Sequence, residues 1–479
     1  MPRVVVVSPP FSSHAQPLTV LGAALREAGA EVHLACAPAF AGPAHEAGLG
    51  FAELTVTRNA NHGIAERTVQ DHAEAARLTE FLAATREGAV PALLTQARHR
   101  RADLLADPER VLADLADLHD RLRPDWYLVD QLSYPVTLAL HCLGLPFATF
   151  CPGHPSYLPS TPDAFFGLPY AWPKSLRPSA ARLAELRTTV EANDLAFTRL
   201  FTRFVGEHAP GAAVPGRAFA LCSPHAVVFN YPRLRWLPAP PAGPAALYAG
   251  HCTRPDGPNG GLDPQWAQAV RLLGARERPI VLVALGTFLS ARDDVLRGVA
   301  EGVLRHAGDV SLIMAAGARV DALRDSPALR AAGPDRVRVA ASVPQQALLP
   351  HVGAMVHHGG NNSFTECLRA GVPAVLLPFS SDQFAVAHDA ELAGAGICLD
   401  PNTLRPQALG AAVAALLARP PEADLGVTGP TEPTGPSGLS RPPEPSGLSR
   451  LTAEVRAHGP EWAAERLLAV MDRATTAPD

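Results

Sequence analysis

Short apolar runs alternate with segments of helical periodicity twice along the chain, and a break dense in Pro and Gly separates the two series. In the first series "RVVVVS" (3–8) reads as a strand. "HAQPLTVLGAALREAGA" (14–30) follows with apolar residues three and four apart, and "EVHLACA" (31–37) is the next strand. The pattern returns at "DWYLVD" (125–130), "SYPVTLALHCLG" (133–144) and "LPFATFC" (145–151). After "WLPAPPAGPAALYAGHCTRPDGPNGG" (236–261) it restarts with strands in "RPIVLVALGTF", "VSLIMAAG", "DRVRVAAS", "AMVHHGG" and "PAVLLPF". Continuous apolar strands separated by helices require parallel sheets covered on both faces. The expected fold class is therefore α/β, with two tandem Rossmann-like domains facing across a cleft.

The boundaries follow from composition. Residues 1–240 form the first domain, 241–265 a linker and 266–419 the second domain. Residues 420–450 form an insertion and 451–479 a C-terminal helix that docks back on the body. The insertion is rich in Pro, Gly and Ser and repeats "PSGLSR" at 436–441 and 445–450. It holds too little apolar surface to offset the entropy of ordering, so it is expected to be disordered.

At 479 residues the chain has room for two cores, and with 47% hydrophobic and 18% charged residues it is globular in composition. Its formal net charge of −5 argues against nucleic-acid or anionic-membrane partners. Seven scattered cysteines without a CxxC pair give neither a zinc pattern nor a disulfide framework, which fits a reducing, cytoplasmic location. The first residues read as a strand rather than a signal peptide. No run approaches the roughly 20 apolar residues of a transmembrane helix.

The densest cluster of polar small residues lies in "AMVHHGGNNSFTECLRAGVPAVLLPFSSDQ" (354–383). A strand ends at "VHH" and a helix closed by Gly371 begins at "NSFTEC", so Gly359, Gly360, Asn362 and Ser363 fall at a helix N-terminus. Unpaired N–H groups and the positive end of the helix dipole converge there, and glycines let a ligand approach the backbone. With His358 as a further donor, the natural guest is a phosphate or diphosphate. Glu366, one turn on, could accept from a ribose diol. Asp382 and Gln383 at the end of the next strand offer acceptors and donors suited to sugar hydroxyls. Taken singly, Asn362 and Ser363 could be helix caps, Gly371 a C-cap and Asp382 a turn residue. His357 and His358 are adjacent and lack an i, i+4 partner for a metal, and no GxGxxG follows the first strand.

The stretch "SVPQQALLPH" (342–351), followed by "VHHGGNNSFTECLRAGVPAVLLPFSSDQ", resembles the nucleotide-sugar signature of the family 1 glycosyltransferases. These are the GT-B group that includes plant and macrolide glycosyltransferases. The resemblance implies an acceptor-binding amino-terminal half and a nucleotide-sugar-binding carboxyl-terminal half. By it His358 would contact the diphosphate, supported by Gly359, Gly360, Asn362 and Ser363. Glu366 would hold the ribose, Asp382 and Gln383 the sugar, Gln345 would lie near the base and Thr287 near the phosphates. Ser342 stands where plant members have a base-stacking Trp, and Val386 where many members have Asn.

Sugar transfer to a hydroxyl needs a base. "SSHAQP" places His14 in the loop after the first strand, and "DWYLVDQ" places Asp130 at the end of a later parallel strand. Both open on one sheet edge, where Asp130 would fix the imidazole tautomer. The family's catalytic dyad falls on these positions, with Ser13 in place of the common preceding Gly. The alternative is a helix-start residue and a cap. Phe165, Phe166, Tyr170 and Trp172 in "TPDAFFGLPYAWP" (161–173) suit an apolar or aromatic acceptor, or else a lid on the core. The expected activity is inverting, metal-independent, cofactor-free transfer from a UDP- or TDP-sugar to a small, secondary-metabolite acceptor by a monomer or homodimer. A nucleotide-sugar epimerase of the same architecture, and a non-catalytic nucleotide-sugar-binding homologue, are the alternatives.

Overall fold

The computed structural model describes residues 1–57, 72–103, 105–214, 216–253, 261–418 and 447–476. Thirteen strands among them form two sheets. The first comprises β1 (Arg3–Val7), β2 (Glu31–Cys36), β3 (Gly50–Glu53), β4 (Trp126–Asp130), β5 (Phe147–Cys151), β6 (Ala226–Phe229) and β7 (Ala245–Tyr248), in the order β3-β2-β1-β4-β5-β6-β7. The second comprises β8 (Ile280–Ala284), β9 (Ser311–Ala315), β10 (Val337–Ala340), β11 (Ala354–His357), β12 (Ala374–Leu376) and β13 (Gly396–Cys398), in the order β10-β9-β8-β11-β12-β13. Every pairing is parallel.

The apolar runs explain the layers. Val4 to Val7 and Ile280 to Ala284 are buried throughout, because each central strand is covered by helices on both faces. Both sheets reverse direction at their centre: the chain leaves β1 toward β2 and β3 and returns as β4 on the other side, and β8 and β11 repeat the arrangement. Crevices open at the carboxyl ends of strands flanking such switch points.

Two boundaries differ from expectation. The 241–265 stretch is not all linker: "AALY" pairs with β6 as the edge strand β7, and Pro264 starts a helix whose first turn is capped by Asp263, accepting from the Trp266 N–H at 2.9 Å. Dense Pro and Gly around a four-residue strand obscure it, while Pro at a first helical position is favourable. Of the expected 420–450 insertion, residues 420–446 lie outside the described residues, and the remainder is helical as the start of Gly447–Ala457. A Cβ at Gly447 would stand 1.8 Å from the Ala393 carbonyl oxygen, so the glycine of the second "PSGLSR" lets this helix dock closely.

The carboxyl-terminal chain crosses back over the molecule. Helix Gly447–Ala457 packs on Asn361–Ala370 of the second domain, and Pro460–Thr476 packs on Ser12–Glu27 of the first. Ala463, Ala464, Leu467 and Met471 join Leu18, Leu21 and Leu25 in the first domain's core. Among the described residues no helix is long and apolar enough to cross a membrane.

Leu467 is fully buried in that seam. Leu467→Ala should therefore lower unfolding stability by about 2–5 kcal/mol in chemical denaturation. A change within about 0.5 kcal/mol, the usual range for surface positions, would show that the C-terminal helix is not integral to the first domain.

Candidate active site

At the first sheet's switch point β1 runs into a helix at Ser12, so His14 stands in the first helical turn rather than in a preceding loop. Ser13 fits there without a positive φ. Asp130 ends β4 with its side chain fully buried. Its Oδ1 accepts the Leu132 N–H at 2.8 Å, and its Oδ2 lies 2.9 Å from His14 Nδ1. That bond directs Nε2 of the neutral imidazole away from Asp130 as the ring's acceptor. Burial works against a charged ring, but the charge and hydrogen bond of Asp130, with Asp382 adding to them, outweigh it and raise the His14 pKa above its ordinary value.

At the second switch point β11 runs through His358, Gly359 and Gly360 into the helix Asn361–Ala370, which Gly371 closes at φ +74°. No side chain caps the first turn, so its N–H groups remain directed at the crevice. The short helix Gly286–Leu289, which follows the adjacent strand β8, contributes Gly286 and Thr287. His358 sits against both glycines: a Cβ on Gly286 would approach its ring to 2.8 Å and one on Gly360 to 2.3 Å. Burial lowers His358 to about 4, so it is neutral at pH 7 and contributes hydrogen bonding rather than charge. His357 turns away, its Nδ1 accepting the Gly359 N–H at 3.0 Å. Among the described residues no cluster could hold a metal ion.

Several expected ligand contacts are engaged within the protein. Asn362 joins the domains: its Nδ2 donates to the Ser13 carbonyl at 2.9 Å and its Oδ1 accepts from Asn230 Nδ2 at 3.0 Å. Glu366 accepts from Gln345 Nε2 at 2.6 Å and Gln346 Nε2 at 3.2 Å, and Gln345 also donates to Ser363 Oγ at 3.2 Å. Gln345, Ser363 and Glu366 thus form one polar group, and a carboxylate retains further lone pairs for a diol. Gln383 turns its carbonyl into its own turn, accepting the Phe379 and Ser380 N–H groups at 2.8 and 3.1 Å. The acceptor expected of it toward a sugar is therefore already used. Asp382 faces the other domain, where its Oδ2 accepts the His154 N–H at 2.9 Å.

The four aromatic residues expected to touch an acceptor do not line one open surface. Phe166 is in the core with Tyr134 and Phe219, and Arg100 lies 4.1 Å from its ring centroid. Phe165 lies beneath Arg217 and Arg187. Tyr170 donates to Asp389, and Trp172 packs on Phe384. Phe166 is buried in packing, whereas Phe165, Tyr170 and Trp172 make these contacts and stay partly exposed.

Sequence reasoning missed Asn230, Asn361, His154 and Asp389. Asn361 Nδ2 donates to the Pro152 and Asn230 carbonyls at 2.7 and 2.8 Å. Asn230 and His154 follow apolar strands at the carboxyl edge, which is a usable signal. Asp389 sits inside the helix Gln383–Leu392, whose apolar residues show no clear face, and carries none.

Residues 308–427 match the family described as erythromycin biosynthesis protein CIII-like, C-terminal domain. The chain superposes on the glycotransferase of kitacinnamycin with TM-score 0.64 at 22% identity, covering 98% of this chain and 99% of that one. It superposes on the glycosyltransferase VinC in complex with DTDP with TM-score 0.62 at 21% identity, over 98% and 100%. The chain has the GT-B fold. Among sequence relatives, 3-alpha-mycarosylerythronolide B desosaminyl transferase of Saccharopolyspora erythraea is 36% identical over 147 residues, 30% of this chain and 33% of that protein. A sterol 3-beta-glucosyltransferase of Eremothecium gossypii is 47% identical over 66 residues, 14% of this chain and 5% of that protein. The chain thus matches a third or less of the length of these two relatives. The switch points of the two sheets face each other here, because the Asn362 side chain at the tip of the Asn361–Ala370 helix bonds the Ser13 carbonyl beside His14.

In an imidazole NMR titration His14 should show a pKa above roughly 6.5, and Asp130→Asn should move it down. Because folding raises this pKa, the His14 contribution to stability is full below roughly pH 6.5 and is lost as pH climbs through the raised value. A His14 titration unaffected by Asp130→Asn would rule out the pairing.

Proposed function

We propose that the chain is an inverting, metal-independent glycosyltransferase that moves a sugar from a TDP- or UDP-sugar to a hydroxyl of a small, secondary-metabolite acceptor. The observation that carries this reading is the placement of the His14–Asp130 pair opposite an uncapped helix N-terminus, with Ser13 bonded directly to Asn362 across the crevice. A thymidine diphosphate complex of one structural neighbour supports TDP as the nucleotide. The CIII-like domain and the desosaminyl transferase relative support a natural-product acceptor.

In this mechanism Nε2 of His14 takes the proton of the acceptor hydroxyl as its oxygen bonds to the anomeric carbon. Asp130 stabilises the imidazolium that forms. The bond from the anomeric carbon to the diphosphate oxygen breaks in the same displacement, with inversion. The departing charge develops against the first-turn N–H groups of Asn361–Ala370 and the neutral His358, which supply electrostatic stabilisation without a metal. Glu366, one turn further along the helix, together with Ser363 of the first turn and Gln345 of the helix Gln345–Leu348, faces the nucleoside. Asp382 is the group for a sugar hydroxyl.

Thermal unfolding with UDP, TDP, GDP, ADP and NAD tests the nucleotide. TDP or UDP should stabilise the chain selectively, by about 2.7 kcal/mol at a hundredfold excess over Kd. Stabilisation by NAD alone, or by none of the five, would overturn the reading. His14→Ala should retain the TDP effect and lower transfer by about 10²–10⁴. Its transfer remaining at the parent rate would make His14 a structural residue. In the parent protein kcat/KM should rise with pH through the raised His14 pKa, since only the neutral ring accepts a proton.

A further inference from the structure

The loop after β5 touches the second domain twice through a single residue. The backbone N–H of His154 donates to Asp382 Oδ2 at 2.9 Å, and its ring Nε2 lies 2.9 Å from Asp389 Oδ2. Asp382 immediately precedes the helix Gln383–Leu392, and Asp389 lies two turns along it. His154 is therefore pinned to both the start and the body of one helix. Its tautomer is set by the Ser156 N–H, which donates to Nδ1 at 3.1 Å and leaves Nε2 as the donor to Asp389. The ring is fully buried, stacked on Tyr170 with centroids 5.1 Å apart and edge-on to Tyr231 at 5.0 Å.

The fit beside it is tight. A Cβ on Gly153 would stand 2.7 Å from Asp382 Oδ2. Tyr157 bonds to Ser381 Oγ and accepts the Asp382 N–H at 3.2 Å. Ser381 itself is held at φ +59°, a left-handed conformation that costs a non-glycine residue energy and persists here because both neighbours are tied down.

The geometry points to His154 as a positioning residue that sets the Asp382 carboxylate relative to His14, so that the sugar-facing group and the base are aligned only while the domains are closed. This rests on the glycosyl-transfer reading above. His14 reports the alignment, since the charged groups that act on it are Asp130 from its own sheet and Asp382 from across the crevice.

The test uses the full chain carrying His154→Ala, His154→Gln and, separately, Gly153→Ala, with TDP-glucose as the probe donor. Gly153→Ala presses on Asp382 Oδ2 and on the Tyr157 ring that bonds Ser381 and Asp382, without removing a donor to Asp389, and serves if His154→Ala does not fold. His154→Ala and Gly153→Ala should each lower the His14 pKa in an imidazole NMR titration. They should reduce kcat by up to about 10², the effect of roughly 1 Å of misplacement, while the thermal shift by TDP stays unchanged. His154→Gln, which keeps a side-chain N–H for Asp389, should recover most of the loss. An unchanged His14 titration in every folded variant overturns the proposal and leaves His154 as a purely structural cross-link. If the parent protein turns over no nucleotide-sugar, the transferase reading fails, while the His14 titration still decides whether His154 positions Asp382.

Discussion

A single buried carboxylate organises the junction between the domains. Asp389 is inaccessible to solvent and accepts from four side chains, all from the other domain: His154 Nε2, Tyr231 OH and Trp236 Nε1, each at 2.9 Å, and Tyr170 OH. Burial raises the cost of its charge, but these hydrogen bonds outweigh it and hold the carboxyl below its ordinary pKa. A hydrogen bond to a charged group contributes about 1.5–3 kcal/mol, while a buried charge stripped of its partners costs several. The second domain thus carries a charge that only the first can satisfy, and the crevice geometry follows from that closure.

Other contacts divide the work along the same junction. Asn361 and Asn362, at the very tip of a helix suited to anions, spend their side chains on Pro152, Ser13 and Asn230. No side chain caps the backbone N–H groups of this first turn. Side-chain anchoring leaves the first turn uncapped because side chain and backbone N–H point in different directions at a helix start. The result is that the base candidate and the diphosphate candidate are linked through one hydrogen bond from Asn362 to Ser13. A similar economy holds at Gln383, whose carbonyl braces the turn that presents Asp382.

The site was legible in the sequence to the extent that it obeys local rules. The strand ends, the glycines at 359 and 360 and the helix start after them follow from patterning and turn chemistry, so the turn at 358–363 and the placement of Asp130 at a strand end could be read directly, while His14 was read as a loop residue and stands in the first helical turn. The edge strand β7 was hidden by neighbouring prolines, and the helical start at Gly447 by the composition around it. The roles of individual polar side chains were less legible. An Asn beside a helix start reads equally as a ligand contact, a cap or a bridge, and only a neighbour distant in sequence decides among them.

The sequence by itself determined two parallel α/β domains and a phosphate-suited turn in the second, because apolar periodicity and backbone preferences act over a few residues. Tertiary structure alone decided that His154 meets Asp389, residues 235 apart, and that Asn362 bridges to Ser13 and Asn230. It also decided that the loop at 161–173 packs Phe166 into the core and sets Tyr170 and Trp172 against the second domain. These outcomes depend on which sheet edges face each other when two domains close, and buried charge with its desolvation energy is settled only when every partner is in place.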